Sequence, residues 1–201
     1  MDRITPDAVL FDMDGTLVDS DAAVERAWRV WAGEHGADPA AVLAVAHGAP
    51  AERTVRLVRP DLDEAGVAAA AARQLDLQYD DLSDVVPTAG APELLAALTL
   101  PWAVVTSADV RLAKARLGAA GICPPVLVTV EDITAGKPDP EGYLRGAELL
   151  GVDPARCLVV EDAEVGVTAG RAAGARVAAL KGVDGDLPIR DLFELARLLG
   201  V

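Results

Sequence analysis

The chain of 201 residues is 52% apolar and 25% charged, so it can bury a substantial core and is too apolar to be disordered. Its net charge of −14 excludes nucleic acid and anionic membrane surfaces as natural partners, and an anionic substrate would have to be met by local positive charge. Aromatic residues make up 3%, no apolar run has the length of a signal or a membrane span, and Cys123 and Cys157 lack a zinc-type spacing. The two thiols suit packing roles in a reducing, cytoplasmic compartment.

The first element is the apolar run Ala8-Val9-Leu10-Phe11, which predicts a short buried strand. It runs directly into Asp12-Met13-Asp14-Gly15-Thr16. Two carboxylates two residues apart raise each other's pKa unless a cation sits between them, and oxygen-only ligands favour Mg²⁺. From about Asp21 to Asp84 the character changes. Val24, Trp28, Trp31, Val42 and Val45 recur at helical spacing, and Pro39, Pro50 and Pro60 cut the stretch into several helices. This segment, residues 20–86, reads as a helical insert, with Trp28 and Trp31 in its core, Asp19-Ser20 capping its first helix and His35 on its surface. Pro87 to Pro92 reads as a turn-rich return.

From Glu93 helices and strands alternate: helix Glu93–Leu98, strand Trp102–Thr106, helix Val110–Leu117 closed by Gly118, strand Pro125–Val128 and helix Pro140–Leu150 closed by Gly151. Strand Cys157–Val160, helix Val165–Ala173 closed by Gly174, strand Arg176–Leu180 and a last helix Leu192–Leu199 follow. Short apolar strands between helices predict an α/β fold with a parallel sheet, built by residues 1–19 and 87–201.

Four polar clusters follow strands in this scheme: Asp12/Asp14, Thr106-Ser107, Lys137 in Gly136-Lys137-Pro138, and Glu161-Asp162. Ligands of such sheets bind at the carboxyl ends of the strands, so all four should meet at one rim. Together they supply phosphoryl transfer. Asp12 can attack phosphorus, and Asp14 can protonate the leaving alcohol and then deprotonate water. Mg²⁺ can bridge Asp12, the phosphate and Asp162, while Thr106, the Ser107 N–H and Lys137 bind and neutralise the group in transfer. Each cluster also has a plainer reading. Thr106-Ser107 and Glu161-Asp162 could cap helices, and Gly136-Lys137-Pro138 could be a solvated turn.

In these four motifs the chain resembles the haloacid dehalogenase superfamily of hydrolases: Phe11–Asp19 is similar to its first motif, Val104–Ser107 to its second, Lys137-Pro138 to its third and Val159–Gly170 to its fourth. The resemblance implies a Rossmann-like core with the helical insert as a cap over the substrate. It implies Asp12 as nucleophile, Asp14 as acid/base, Lys137 as charge stabiliser, and Mg²⁺ held by Asp12, the Asp14 carbonyl and Asp162. Glu161 would act through metal waters or support the site.

Within the superfamily, dehalogenases use a single aspartate and no Mg²⁺, against which Asp14 argues. Phosphonatases use a cap lysine, and the insert has none. β-Phosphoglucomutases carry a cap histidine ten residues past the second aspartate, where this chain has Val24. The stretches His47–Thr54 and Trp102–Ser107 are most similar to glycerol-3-phosphate and sugar-phosphate phosphatases. A phosphatase acting on a small phosphorylated polyol or sugar is expected, with a mutase or a non-catalytic phosphate-binding protein as alternatives. In the insert, His47 and Arg53 are candidate substrate contacts, or a helix-end polar residue and a surface arginine. The oligomeric state is left open by the sequence.

Overall fold

The computed structural model describes residues 3–46 and 50–201. In chain order the elements are β1 (Ala8–Phe11), β2 (Val18–Asp19), α1 (Asp21–His35), α2 (Pro39–Ala46), α3 (Ala51–Val58), α4 (Glu64–Asp80), β3 (Val86–Pro87), α5 (Ala91–Ala97) and β4 (Trp102–Val105). They continue with α6 (Val110–Ala119), β5 (Leu127–Val128), α7 (Glu141–Leu150), β6 (Cys157–Glu161), α8 (Glu164–Ala172), β7 (Arg176–Ala179), β8 (Leu187–Pro188) and α9 (Leu192–Leu199). The chain divides into two compact units, Met1–Asp19 with Val86–Val201, and Ser20–Val85.

The first unit is a parallel sheet in the order β5-β4-β1-β6-β7-β8, a Rossmann-like α/β arrangement. Every residue of β1 and β6 is buried, so both faces of the sheet centre are covered, which is why β1 and β6 up to Val160 are continuous apolar runs rather than alternating ones. On one face α7 and α8 close a core of Leu10, Ala103, Val105, Tyr143, Ala147, Val159 and Val177. β1 lies between β4 and β6, with Phe11 level with Val104 on one side and Val160 on the other. The chain order reverses direction across the sheet at this strand, and the residues that follow β1, β4 and β6 therefore surround one crevice.

The strand and helix expectations hold to within a few residues, with three exceptions. β2, β3 and β8 are two-residue strands, too short to show a period, and two of them contain a proline that reads locally as a breaker. Pro87 therefore belongs to a strand rather than to a plain linker, pairing with Val18. Gly118 does not end α6, which runs on to Ala119; Gly121, with φ of 70°, makes the left-handed turn. Cys157 is buried, with its thiol pushed up to about 11 by burial, but Cys123 is exposed and has no packing role.

The second unit is α1 to α4 around Trp28, Trp31, Val42, Val55, Val67, Ala70 and Leu77. Trp31 Nε1 donates to the Ala70 carbonyl at 2.8 Å, satisfying its polar tip inside the core. His35 is not a surface residue. It is half-buried, stacked on Trp31 at 4.3 Å, and its Nδ1 donates to the Trp31 carbonyl. Ser20 holds the N-cap position of α1 as expected but makes no side-chain cap bond there, whereas Asp63 caps α4 by accepting from the Gly66 N–H.

Candidate functional site

The end of β1 delivers Asp12, whose N–H still donates to Val160 O at 2.9 Å and so holds its backbone to β6. The chain then turns tightly: the N–H groups of Leu17 and Val18 both donate to Met13 O at 2.9 Å, and the Gly15 N–H donates to Val18 O at 2.7 Å. Gly15 carries the turn with φ of +80°. A Cβ there would lie 2.0 Å from Asp162 Oδ2 and 2.7 Å from Lys181 Nζ. Gly15→Ala should thus cost about 1–2 kcal/mol in backbone strain alone and displace Asp162 as well. A thermal melt checks this, and a wild-type midpoint would show that the turn relaxes freely.

Asp12 is nearly buried. Its Oδ1 accepts from Lys137 Nζ, which also donates to Glu161 Oε1 at 2.7 Å and Val105 O at 3.2 Å. Glu161 is the last residue of β6 and 1% exposed. Both its oxygens are engaged: Oε1 accepts from Lys137 and from the Tyr143 hydroxyl at 2.7 Å, and Oε2 from the N–H groups of Asp162 and Ala163. Both of these N–H groups precede α8, which begins at Glu164, so Glu161 fixes the turn into the helix rather than capping it. Gly166, one turn into α8, leaves room for it, since a Cβ there would sit 1.7 Å from Oε1. Asp162, next in the chain, is ion-paired through Oδ2 with Lys181 Nζ at 3.0 Å.

Burial raises the Asp12 carboxyl well above the usual range, with Lys137 opposing and Glu161 and Asp162 adding to the rise. Asp162 is also raised, again by burial first, against Lys181. Burial would lower the Lys137 ammonium, but Asp12, Tyr143 and Glu161 outweigh it and hold it well above its ordinary value. Asp12, Glu161 and Asp162 offer carboxylate oxygens within 4.8 Å of one another. Three acids so close, with the ionisation of Asp12 and Asp162 penalised, form a set that fits a hard divalent cation of the Mg²⁺ type. Since Glu161 already carries protein donors on both oxygens, Asp12 and Asp162 are the carboxylates with room for one.

Thr106 follows β4 and is buried, its N–H on Val128 O at 3.0 Å and its Oγ1 accepting from Ala108 N at 3.1 Å. Ser107 beside it is exposed. The Asp14 side chain, a third exposed, is ion-paired with Arg116 at 2.8 Å. The structure therefore brings Asp12, Lys137, Glu161 and Asp162 into one connected group and sets Thr106 and Ser107 at the end of the neighbouring strand. Arg53 is exposed on α3 of the helical unit, and His47 lies outside the described residues.

Sequence reasoning missed Tyr143, Arg116 and Lys181. Tyr143 and Arg116 did carry a signal, since each sits on the buried stripe of its helix where an apolar residue is the norm. Lys181 carried none, and only its positive φ of 52° marks it.

A family model of haloacid dehalogenase-like hydrolases matches residues 6–174. The chain is 46% identical over 175 residues to hexitol phosphatase A of Escherichia coli (strain K12), covering 85% of this chain and 81% of that protein. It is 36% identical over 197 residues to 2-deoxyglucose-6-phosphate phosphatase 1 of Saccharomyces cerevisiae, covering 87% and 80%. Among solved structures, a family IA, variant 3 hydrolase of Entamoeba histolytica superposes with a TM-score of 0.81 at 20% identity, over 96% of this chain and 98% of that one, a likeness of fold.

Proposed function

We propose, from the premise that this chain belongs to the haloacid dehalogenase-like hydrolase family, that it is a Mg²⁺-dependent phosphatase of small phosphorylated sugars or polyols working through an aspartyl-phosphate. The observation that carries the reading is the contact of Lys137 with both Asp12 and Glu161, beside Asp162, at the strand ends. The relatives named as hexitol and 2-deoxyglucose-6-phosphate phosphatases support the substrate class.

Asp12 attacks phosphorus and carries the phosphoryl group. Lys137 keeps Asp12 oriented and offsets the charge that gathers on the equatorial oxygens. The Thr106 hydroxyl and the Ser107 N–H bind those oxygens. Asp14 protonates the departing alcohol and then takes a proton from water. Mg²⁺, when held by Asp12, the Asp14 carbonyl and Asp162, supplies positive charge against the group in transfer. Glu161 is the anchor of Lys137 rather than a direct ligand. The helical residues 20–86 act as a cap, with Arg53 and His47 as its contacts to substrate hydroxyls or phosphate. A cytoplasmic setting suits an exposed thiol such as Cys123. No helix among the described residues is long and apolar enough to cross a membrane.

Phosphate release from hexitol phosphates, sugar 6-phosphates, glycerol phosphates and β-glucose 1-phosphate, with Mg²⁺ and with EDTA, tests this. EDTA-sensitive release concentrated in the hexitol and hexose phosphates is expected. Isomerisation of β-glucose 1-phosphate without release would move the assignment to a mutase, and silence across the set would overturn the phosphatase reading.

A further inference from the structure

Arg116 reaches the site from an unexpected direction. It projects from α6, whose buried stripe is otherwise Leu112, Ala113 and Leu117, and its side chain is only 4% exposed. Arginine is almost never buried so completely unless it is paired, and a well-packed apolar side chain would fill the place without desolvating a charge. The charge it meets there is Asp14: Arg116 Nη1 lies 2.8 Å from Asp14 Oδ2.

We infer that Arg116 is a positioning residue for Asp14, holding its carboxylate in place for the hydrolysis of the phosphorylated enzyme. The inference rests on the reading of Asp14 as acid/base. In the first half-reaction an Asp12 oxygen bonds to phosphorus, the bond from phosphorus to the substrate oxygen breaks, and that oxygen takes the proton from the Asp14 carboxylic acid. In the second, a water oxygen bonds to phosphorus, its proton passes to the Asp14 carboxylate, and the bond to Asp12 breaks with its electron pair returning to Asp12. Asp14 enters only the second step as an anion, which is the form the guanidinium grips by a charge-assisted hydrogen bond. Arg116 therefore acts on the water step, and its loss separates the two half-reactions.

p-Nitrophenyl phosphate makes that separation visible, because its leaving group departs without a proton. Rapid mixing of the full chain with Mg²⁺ and this substrate reads phosphorylation of Asp12 as a burst of p-nitrophenolate and hydrolysis as the steady rate. In Arg116→Met the burst should keep the wild-type rate while the steady rate falls about ten- to a hundredfold, the kinetic equivalent of one charge-assisted hydrogen bond. Arg116→Lys, which keeps the charge and loses the fork, should show the same split at smaller size, and it carries the test if the methionine variant does not fold. Steady rates at the wild-type level in either folded variant would overturn the inference. So would a parallel fall of burst and steady rate in both, which would mean general distortion of the site. Acid-quenched wild-type protein without a phosphate on Asp12 would instead remove the aspartyl-phosphate reading, an outcome distinct from either.

Discussion

Asp12→Asn should abolish turnover, by about 10⁴-fold or more, while the protein melts at the wild-type temperature or above it. The two halves of this expectation have separate causes. The amide keeps the shape of the side chain but cannot form the acyl phosphate, so the covalent route closes. Stability should not suffer, because Lys137 keeps Glu161 as a partner at 2.7 Å. In the wild type burial raises the Asp12 carboxyl well above its unfolded value, with Glu161 and Asp162 adding to the rise. A carboxyl that binds its proton more tightly in the folded state contributes less stability as pH rises through and above the ordinary carboxylate range. At neutral pH without a cation, the Asp12 carboxyl thus works against the fold, and asparagine removes that cost. Calorimetric melts in EDTA, beside phosphate release in Mg²⁺, check both halves. Residual turnover within a hundredfold of wild type would sink the nucleophile assignment.

Lys137→Met should damage both fold and activity. The ammonium is 10% exposed and touches Asp12 and Glu161 together. Without it two buried carboxylates face each other and Asp162 uncompensated, which costs about 3–5 kcal/mol and lowers the melting midpoint by roughly 10–15 °C. Turnover should fall about 10²–10³-fold, the effect of removing one charge-stabilising donor from a transfer site. Adding Glu161→Gln to Lys137→Met should restore part of the stability and none of the activity, because it removes a buried charge but supplies no cation. Since the Lys137 pKa stands above its ordinary value, its stabilisation is complete at neutral pH and is lost only in strong alkali. Below that, the gap between wild type and variant should widen as pH rises above the ordinary carboxylate range, because Lys137 is the group that opposes the rise of the Asp12 carboxyl and without it ionising the cluster costs more. A midpoint for Lys137→Met within a few degrees of wild type would show that Lys137 does not hold the acids together.

Much of the fold was legible because its signals are local. β1 and β4 are unbroken apolar runs, β6 and β7 are apolar apart from Glu161 and Arg176 at their ends, and α6 begins at an acidic cap while α7 ends at a glycine. β2, β3 and β8 were not legible, since two residues have no period and Val86-Pro87 and Leu187-Pro188 read as breaks. His35 looked like a surface residue because its partner, the face of Trp31, is supplied by the helix geometry rather than by any sequence pattern.

By itself, the sequence determined the strand–helix alternation, and with it which acids, hydroxyls and lysine fall at strand ends, because periodicity and turn chemistry act over a few residues. Tertiary structure alone decided their partners. Lys137 spans Asp12 and Glu161, Tyr143 braces Glu161, Lys181 pairs with Asp162, and Arg116 grips Asp14. Each of these contacts joins segments far apart in the chain. Only the burial that forces a charge to find its counterpart, at the cost of several kcal/mol per unpaired ion, selects one pairing over the others.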